Sequence, residues 1–111
     1  MEDLLVVILG VPYKIHFVSK DEIPEDDGQC NFYSKEIFIR KPEDLFESDN
    51  TVDCNCRKKR LHEVIRHELV HAFLFESGLD VKYNEDEVLV DWIAKQFPKI
   101  NNTFDDIMGG I

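Results

Sequence analysis

The 111-residue sequence predicts a segregated α+β domain, with a small antiparallel sheet of about four strands followed by two main helices. Two observations carry that reading. β-Branched and aromatic runs with short alternation fill the first 41 residues, while three- and four-residue apolar spacing dominates from Arg57 onward. A chain of this length fits one compact domain, taken here as residues 1–111, with a single core and little room for a separate substrate domain.

Residues 4–9 and 13–19 read as two strands joined at Gly10-Val11-Pro12, where glycine and proline mark a turn. The polar stretch KDEIPEDDG, residues 20–28, reads as a surface loop. Two further strands follow at 29–33 and 36–41 around a tight Ser34-Lys35 turn. In the second, Ile37 and Ile39 alternate with Phe38 and Arg40, as in a half-buried strand. Residues 42–55 form an acidic connection with a turn of helix near Leu45-Phe46.

From Arg57 to Ser77, Leu61, Val64, Ile65, Leu69, Ala72 and Phe73 make an apolar stripe of helical period, and Gly78 supplies a left-handed stop. Arg57-Lys58-Lys59-Arg60 would be a solvated first turn sitting at the unfavourable end of the helix dipole, with Asp49, Asp53 and Glu63 in the neighbourhood. A second helix is expected over about 84–97, through Val88/Trp92, Leu89/Ile93 and Ile93/Phe97, and Pro98 is expected to end it. The remainder leaves room for one short helix before Gly109-Gly110.

Composition narrows the partners. Twenty-three acidic against 13 basic side chains give a net charge of -10, so the summed field opposes general binding of nucleic acid or an anionic membrane. The apolar run at 4–9 follows Glu2-Asp3 and is too short to span a bilayer, so neither a signal peptide nor a membrane anchor is expected. Three cysteines, Cys30, Cys54 and Cys56, are an odd number without a second paired motif, which favours a reduced, cytoplasmic setting over a disulfide framework. Cys54-Asn55-Cys56 alone is a weak metal signal, because structural zinc needs four ligands.

The chemistry concentrates in RHELVHAFLFESGL, residues 66–79. Residues four apart on a helix share a face, so His67 and His71 can reach one Zn²⁺, while Glu68 lies about 100° around the axis beside the metal. Glu68 is then placed to act as general base on a bound water. A shuffled chain of this composition contains HExxH about once in a hundred, so the motif requires its context. A third ligand is needed. No histidine follows His71, the others being His16 and His62, and Glu87 lies beyond the Gly78 break on the next helix. Glu87 is the expected third ligand, Asp86 and Asp91 are its substitutes, and Asp91 one turn further along can orient a ligand imidazole. The competing explanation for Glu85, Asp86 and Glu87 is simple complementarity to the helix dipole.

HELVH followed by Glu87-Val88-Leu89-Val90-Asp91 resembles the gluzincin pattern, HExxH with a downstream ExxxD, in the shortened form of minimal gluzincins such as ImmA/IrrE-like proteins. GQCNFYSKEIFIRK and DWIAKQFPKI look like small metallopeptidase-like proteins of Firmicutes and their phages. The resemblance implies a zincin-like fold and one zinc held by His67, His71 and Glu87. It also implies Glu68 as general base, Asp91 orienting a histidine, and an intracellular protein substrate such as a repressor. Two departures are visible: the helix that commonly precedes the sheet is not evident, and the alanine-rich surroundings of the glutamate become Val90-Asp91-Trp92-Ile93-Ala94.

The expected function is therefore zinc-dependent peptide hydrolysis, with an extended substrate added to the strand at 36–41 as an exposed edge. The alternative is a zinc-containing regulatory or interaction protein without turnover; retention of Glu68 speaks against it. A metal-free α+β module is the third reading. Spacing does not identify a donor for the oxyanion among Tyr33, Tyr83 and His62.

Overall fold

The computed structural model describes residues 2–48, 51–79 and 81–111; Asp49, expected beside the basic helix start, lies outside them. Four strands, β1 (Leu4–Ile8), β2 (Val11–Val18), β3 (Gly28–Asn31) and β4 (Glu36–Arg40), precede a 3₁₀ segment, Pro42–Ser48. Three helices follow, α1 (Cys54–Glu76), α2 (Val81–Asn84) and α3 (Glu87–Gly109). The class is α+β, but the sheet is mixed, with order β1-β2-β4-β3. β1 and β2 are antiparallel, as are β3 and β4, whereas β2 and β4 run parallel from Lys14↔Glu36 to Val18↔Arg40.

The parallel pairing corrects the all-antiparallel expectation. Tight turns dictate antiparallel neighbours only within each hairpin. The connection at residues 19–27 runs across the end of the sheet where β2 stops and β3 starts, leaving one strand position between them, and β4 fills it parallel to β2. Arg40 fixes that connection. Alternation suggested a solvent-facing side chain, yet Arg40 is buried and its guanidinium donates to Ile23 O at 3.0 and 3.2 Å, to Pro24 O at 2.8 Å and to Asp27 Oδ1 at 3.3 Å.

The first turn also differs in position. Leu9 and Gly10, both at positive φ, form a two-residue turn with Ile8 opposite Val11, so Val11 and Pro12 belong to β2. β4 reaches only to Lys14, and Pro12 therefore removes no bond from that ladder. In the β3–β4 connection, Asn31 Oδ1 accepts from the backbone N–H of Tyr33 and Ser34, both at 3.1 Å. That closure takes Phe32 and Tyr33 out of the strand and into the turn.

One sheet face meets α1. Tyr13, Ile15, Phe17, Ile37 and Ile39 pack with Leu45, Leu61, Val64 and Ala72 in the main core, each full burial contributing about 1.5–3 kcal/mol. Asp53 caps α1 by accepting from Cys56 N at 2.8 Å. The basic first turn is only partly solvated: Arg57 donates to the carbonyls of Pro42 (3.0 Å) and Leu45 (2.6 Å), and Arg60 Nε to Asp27 Oδ2 (3.0 Å). Gly78, at φ 76°, ends α1 where expected.

α3 then packs on α1 through Val90, Ala94 and Val70. It does not end at Pro98 but continues through it to Gly109. A proline there deprives Ala94 O of its usual i+4 donor. Arg66 Nε on α1 supplies a replacement at 3.2 Å, which explains why the break expected from sequence does not occur.

Candidate metal centre

The site forms where α1, α2 and the start of α3 converge on the flank of β3. One helical turn separates His67 from His71, and their Nε2 atoms are 3.2 Å apart. Gly78 turns the chain back, α2 follows, and Asp86 caps α3 by accepting from Leu89 N at 3.0 Å. Asp86 is thus a helix cap, and the side chain that enters the cluster is Glu87, the first residue of α3. Glu87 Oε2 lies 2.8 Å from His67 Nε2 and Oε1 lies 3.0 Å from His71 Nε2. The three side chains offer ligand atoms all within 4.8 Å of one another.

The outer atoms of both rings face acceptors. His71 Nδ1 is 2.6 Å from Asn84 Oδ1, and His67 Nδ1 is 3.4 Å from Asp91 Oδ1. Acceptors at both Nδ1 atoms favour the Nδ1–H tautomer, which turns the Nε2 lone pairs inward beside a carboxylate. Three acceptors without a donor repel unless positive charge lies among them. A proton on one ring would relieve part of that repulsion, whereas one cation among the three side chains would meet all of the inward atoms at once. Zinc with bonds of about 2.0–2.1 Å separates its tetrahedral ligands by about 3.3 Å, close to the 2.8–3.2 Å between these atoms.

Asp91 also pairs with Lys95 Nζ at 2.9 Å. That hydrogen bond, joined by the one from His67, holds its carboxyl below the usual range, so it remains an anion facing the ring.

Glu68 lies beside the cluster and is only 6% exposed. Burial, reinforced by the negative charges of Glu87 and Asp26, pushes its carboxyl up to about 8. That value belongs to the metal-free cluster; a cation held by His67, His71 and Glu87 would offset the Glu87 charge and favour the ionised carboxylate that a general base requires. Gly28 sets its position. A Cβ at Gly28 would sit 2.9 Å from Glu68 Oε2 and 2.8 Å from Val64 Cγ1, so only glycine lets β3 approach α1 this closely.

These groups line a cleft of about 770 Å³ bounded by Asp26, Gly28, Phe32 and Phe75 as well as the cluster. Phe32 stacks on Phe75 with centroids 4.6 Å apart and lies 6.5 Å from the His71 ring, forming one apolar wall. Tyr33 reaches the cleft, whereas Tyr83 and His62 do not line it. His16 is on the sheet, bridging Asp3 (3.0 Å) and Glu36 (2.7 Å).

Cys30 lines the cleft as a thiol, pushed up to about 12 by burial and by the charges of Glu68 and Glu76. Cys54 and Cys56 are exposed in the first turn of α1, and Asp53 raises the Cys56 thiol. Among the described residues the only group of three or more potential ligands is His67, His71 and Glu87.

Sequence reasoning did not identify Asn84, Gly28 or Phe32. Asn84 has no signature beyond its place before the second helix, and Gly28 resembles any loop glycine until α1 is laid against it. No helix among the described residues is long and apolar enough to cross a membrane. Compared with models of known families, with curated proteins and with solved structures, the chain matches none.

Proposed function

We propose that this chain is a zinc-dependent peptide hydrolase of minimal gluzincin type, with a zincin-like fold. The observation that carries the proposal is the pairing of a His67–His71–Glu87 acceptor cluster with a buried Glu68 carboxyl on the same cleft wall. His67, His71 and Glu87 would hold the metal, with Asn84 and Asp91 keeping the rings in the required tautomer. Bound zinc supplies an acidified water and polarises a carbonyl. Glu68 takes the proton from the attacking water and passes it to the leaving amine.

The substrate strand docks on β3, not on the strand at 36–41. β4 is paired on both sides, by β2 and β3, and has no free edge. β3 has one open edge and borders the cleft through Gly28, Gln29 and Cys30, so an extended backbone added there runs past Glu68 and the cluster. The stacked Phe32 and Phe75 offer an apolar side-chain contact, while Asp26 and Glu85 make the rim acidic.

The test is cleavage of an unstructured peptide library by zinc-loaded wild type and by Glu68→Gln. Activity should fall about 10²–10⁴-fold with zinc retained. Equal cleavage by both proteins would reject Glu68 as the base.

A further inference from the structure

The cleft has a neighbour on the α3 side of the metal cluster. A second hollow of about 510 Å³ opens there, walled by His67, Glu87 and Asp91 together with Val88, Trp92, Lys95 and Gln96. The first three also line the main cleft, so the two spaces adjoin across the same side chains. The charges in the hollow are already committed. Glu87 meets both histidines, and Asp91 is held between Lys95 Nζ at 2.9 Å and His67 Nδ1 at 3.4 Å. What remains is the neutral Gln96 and two apolar side chains, Val88, which is 82% exposed, and Trp92, which is 57% exposed. An ionic occupant would find no free counter-charge, whereas an apolar one would cover the indole.

The open edge of β3 aims an added strand at this hollow. Arg40 N donates to Asp27 O at 2.9 Å, which fixes the phase of the β3–β4 ladder. Asp27, Gln29 and Asn31 turn their main-chain groups to β4, and Gly28 and Cys30 turn theirs outward. The same two residues face α1, since a Cβ on Gly28 would meet Val64 and Glu68, and Cys30 packs against the main core. Residues opposite one another in an antiparallel pair share a face. Each residue of an antiparallel substrate strand bonded to Gly28 or Cys30 therefore points its side chain at the helix layer. Along α1, Gly28 stands level with Val64 and Glu68, while Asp91 and Ala94 of α3 stand level with His67 and Arg66. The substrate residue opposite Gly28 is thus the one that faces the hollow. Resting on the peptide-hydrolase reading, we infer that the Val88–Trp92 hollow is a specificity subsite for a large apolar side chain, such as leucine or phenylalanine, carried by the substrate residue paired with Gly28.

Trp92 is the single tryptophan of the chain, so its emission reports on this hollow alone. The test uses the full zinc-loaded chain carrying Glu68→Gln, which should hold peptides without cutting them. The probes are blocked alanine–serine peptides of about seven residues with leucine, phenylalanine, aspartate or alanine at the centre. The leucine and phenylalanine peptides should bind about 10-fold more tightly than the other two in calorimetry and shift the emission to the blue. Trp92→Ala should erase most of that preference, and Val88→Ser, with the indole in place, should reduce it, both with zinc still bound. An emission that does not move while the phenylalanine peptide binds, a preference that survives Trp92→Ala, or no binding of the apolar peptides overturns the subsite. The hydrolase reading fails separately: a wild type that cuts none of these peptides, while Trp92 still responds to them, would lose the reaction and keep the subsite.

Discussion

The two halves of α3 carry the same apolar period and meet opposite fates. From Glu87 to Pro98 the helix is committed to α1: Val90 and Ala94 are buried, Glu87 meets both histidines, Asp91 faces His67, and Arg66 binds the carbonyl that Pro98 would leave bare. From Lys99 onward it touches little, although Ile100, Phe104 and Ile107 are as apolar as anything in the first half. Amphipathic pattern therefore states that a face needs a partner and does not state which. In the first half, polar side chains select the partner: Glu87 and Asp91 meet ring nitrogens of α1, and Arg66 of α1 meets a carbonyl of α3.

The comparison can be broken from either side. The largest effect lies at the committed end, in the metal-free chain. Glu68 ionises at about 8 in the fold against 4.5 in its ordinary state, so the folded chain holds the proton more tightly than the unfolded one. The contribution of Glu68 to stability is full below about 4.5 and is lost as pH rises towards 8, by about 1.4 kcal/mol for each unit of displacement. Denaturant titration at several pH values should show that slope as the difference between wild type and Glu68→Gln.

Asn84→Leu leaves His71 Nδ1 without its acceptor and should weaken zinc binding about 10–100-fold, measured by competition with a chelating dye. A smaller loss is expected from Arg66→Met. It strips Ala94 O of its donor at the Pro98 gap and should cost about 1–3 kcal/mol in chemical denaturation. Least affected is Phe104→Ser, which should shift the stability of the dilute chain by less than about 0.5 kcal/mol because nothing in the domain covers it.

Much of the fold was legible because its signals are local. The α1 stripe, the Gly78 stop and the α+β order follow from periodicity and turn chemistry within single segments. The parallel β2–β4 pairing was not, since it depends on where a polar connection is pinned, and the pin is Arg40, a residue whose alternation pointed outward. The mistaken edge strand follows from the same cause: once β4 lies inside the sheet, β3 becomes the border of the cleft. At the site, His67, His71 and Glu87 were visible through helical spacing and the absence of a later histidine. Asn84 and Gly28 act only through contacts across elements, which no spacing within one segment encodes. Pro98 failed as a stop for the same reason, since Arg66 lies 28 residues upstream of the carbonyl it satisfies.

Zinc titration of the apo chain, followed by native mass spectrometry, addresses the central claim most directly when wild type, Glu68→Gln and Glu87→Gln are compared. One zinc per chain should bind to wild type and Glu68→Gln, with binding markedly weakened in Glu87→Gln. A wild type that takes up no zinc, or a Glu87→Gln chain that binds it as tightly as wild type, would contradict a metal centre built from His67, His71 and Glu87.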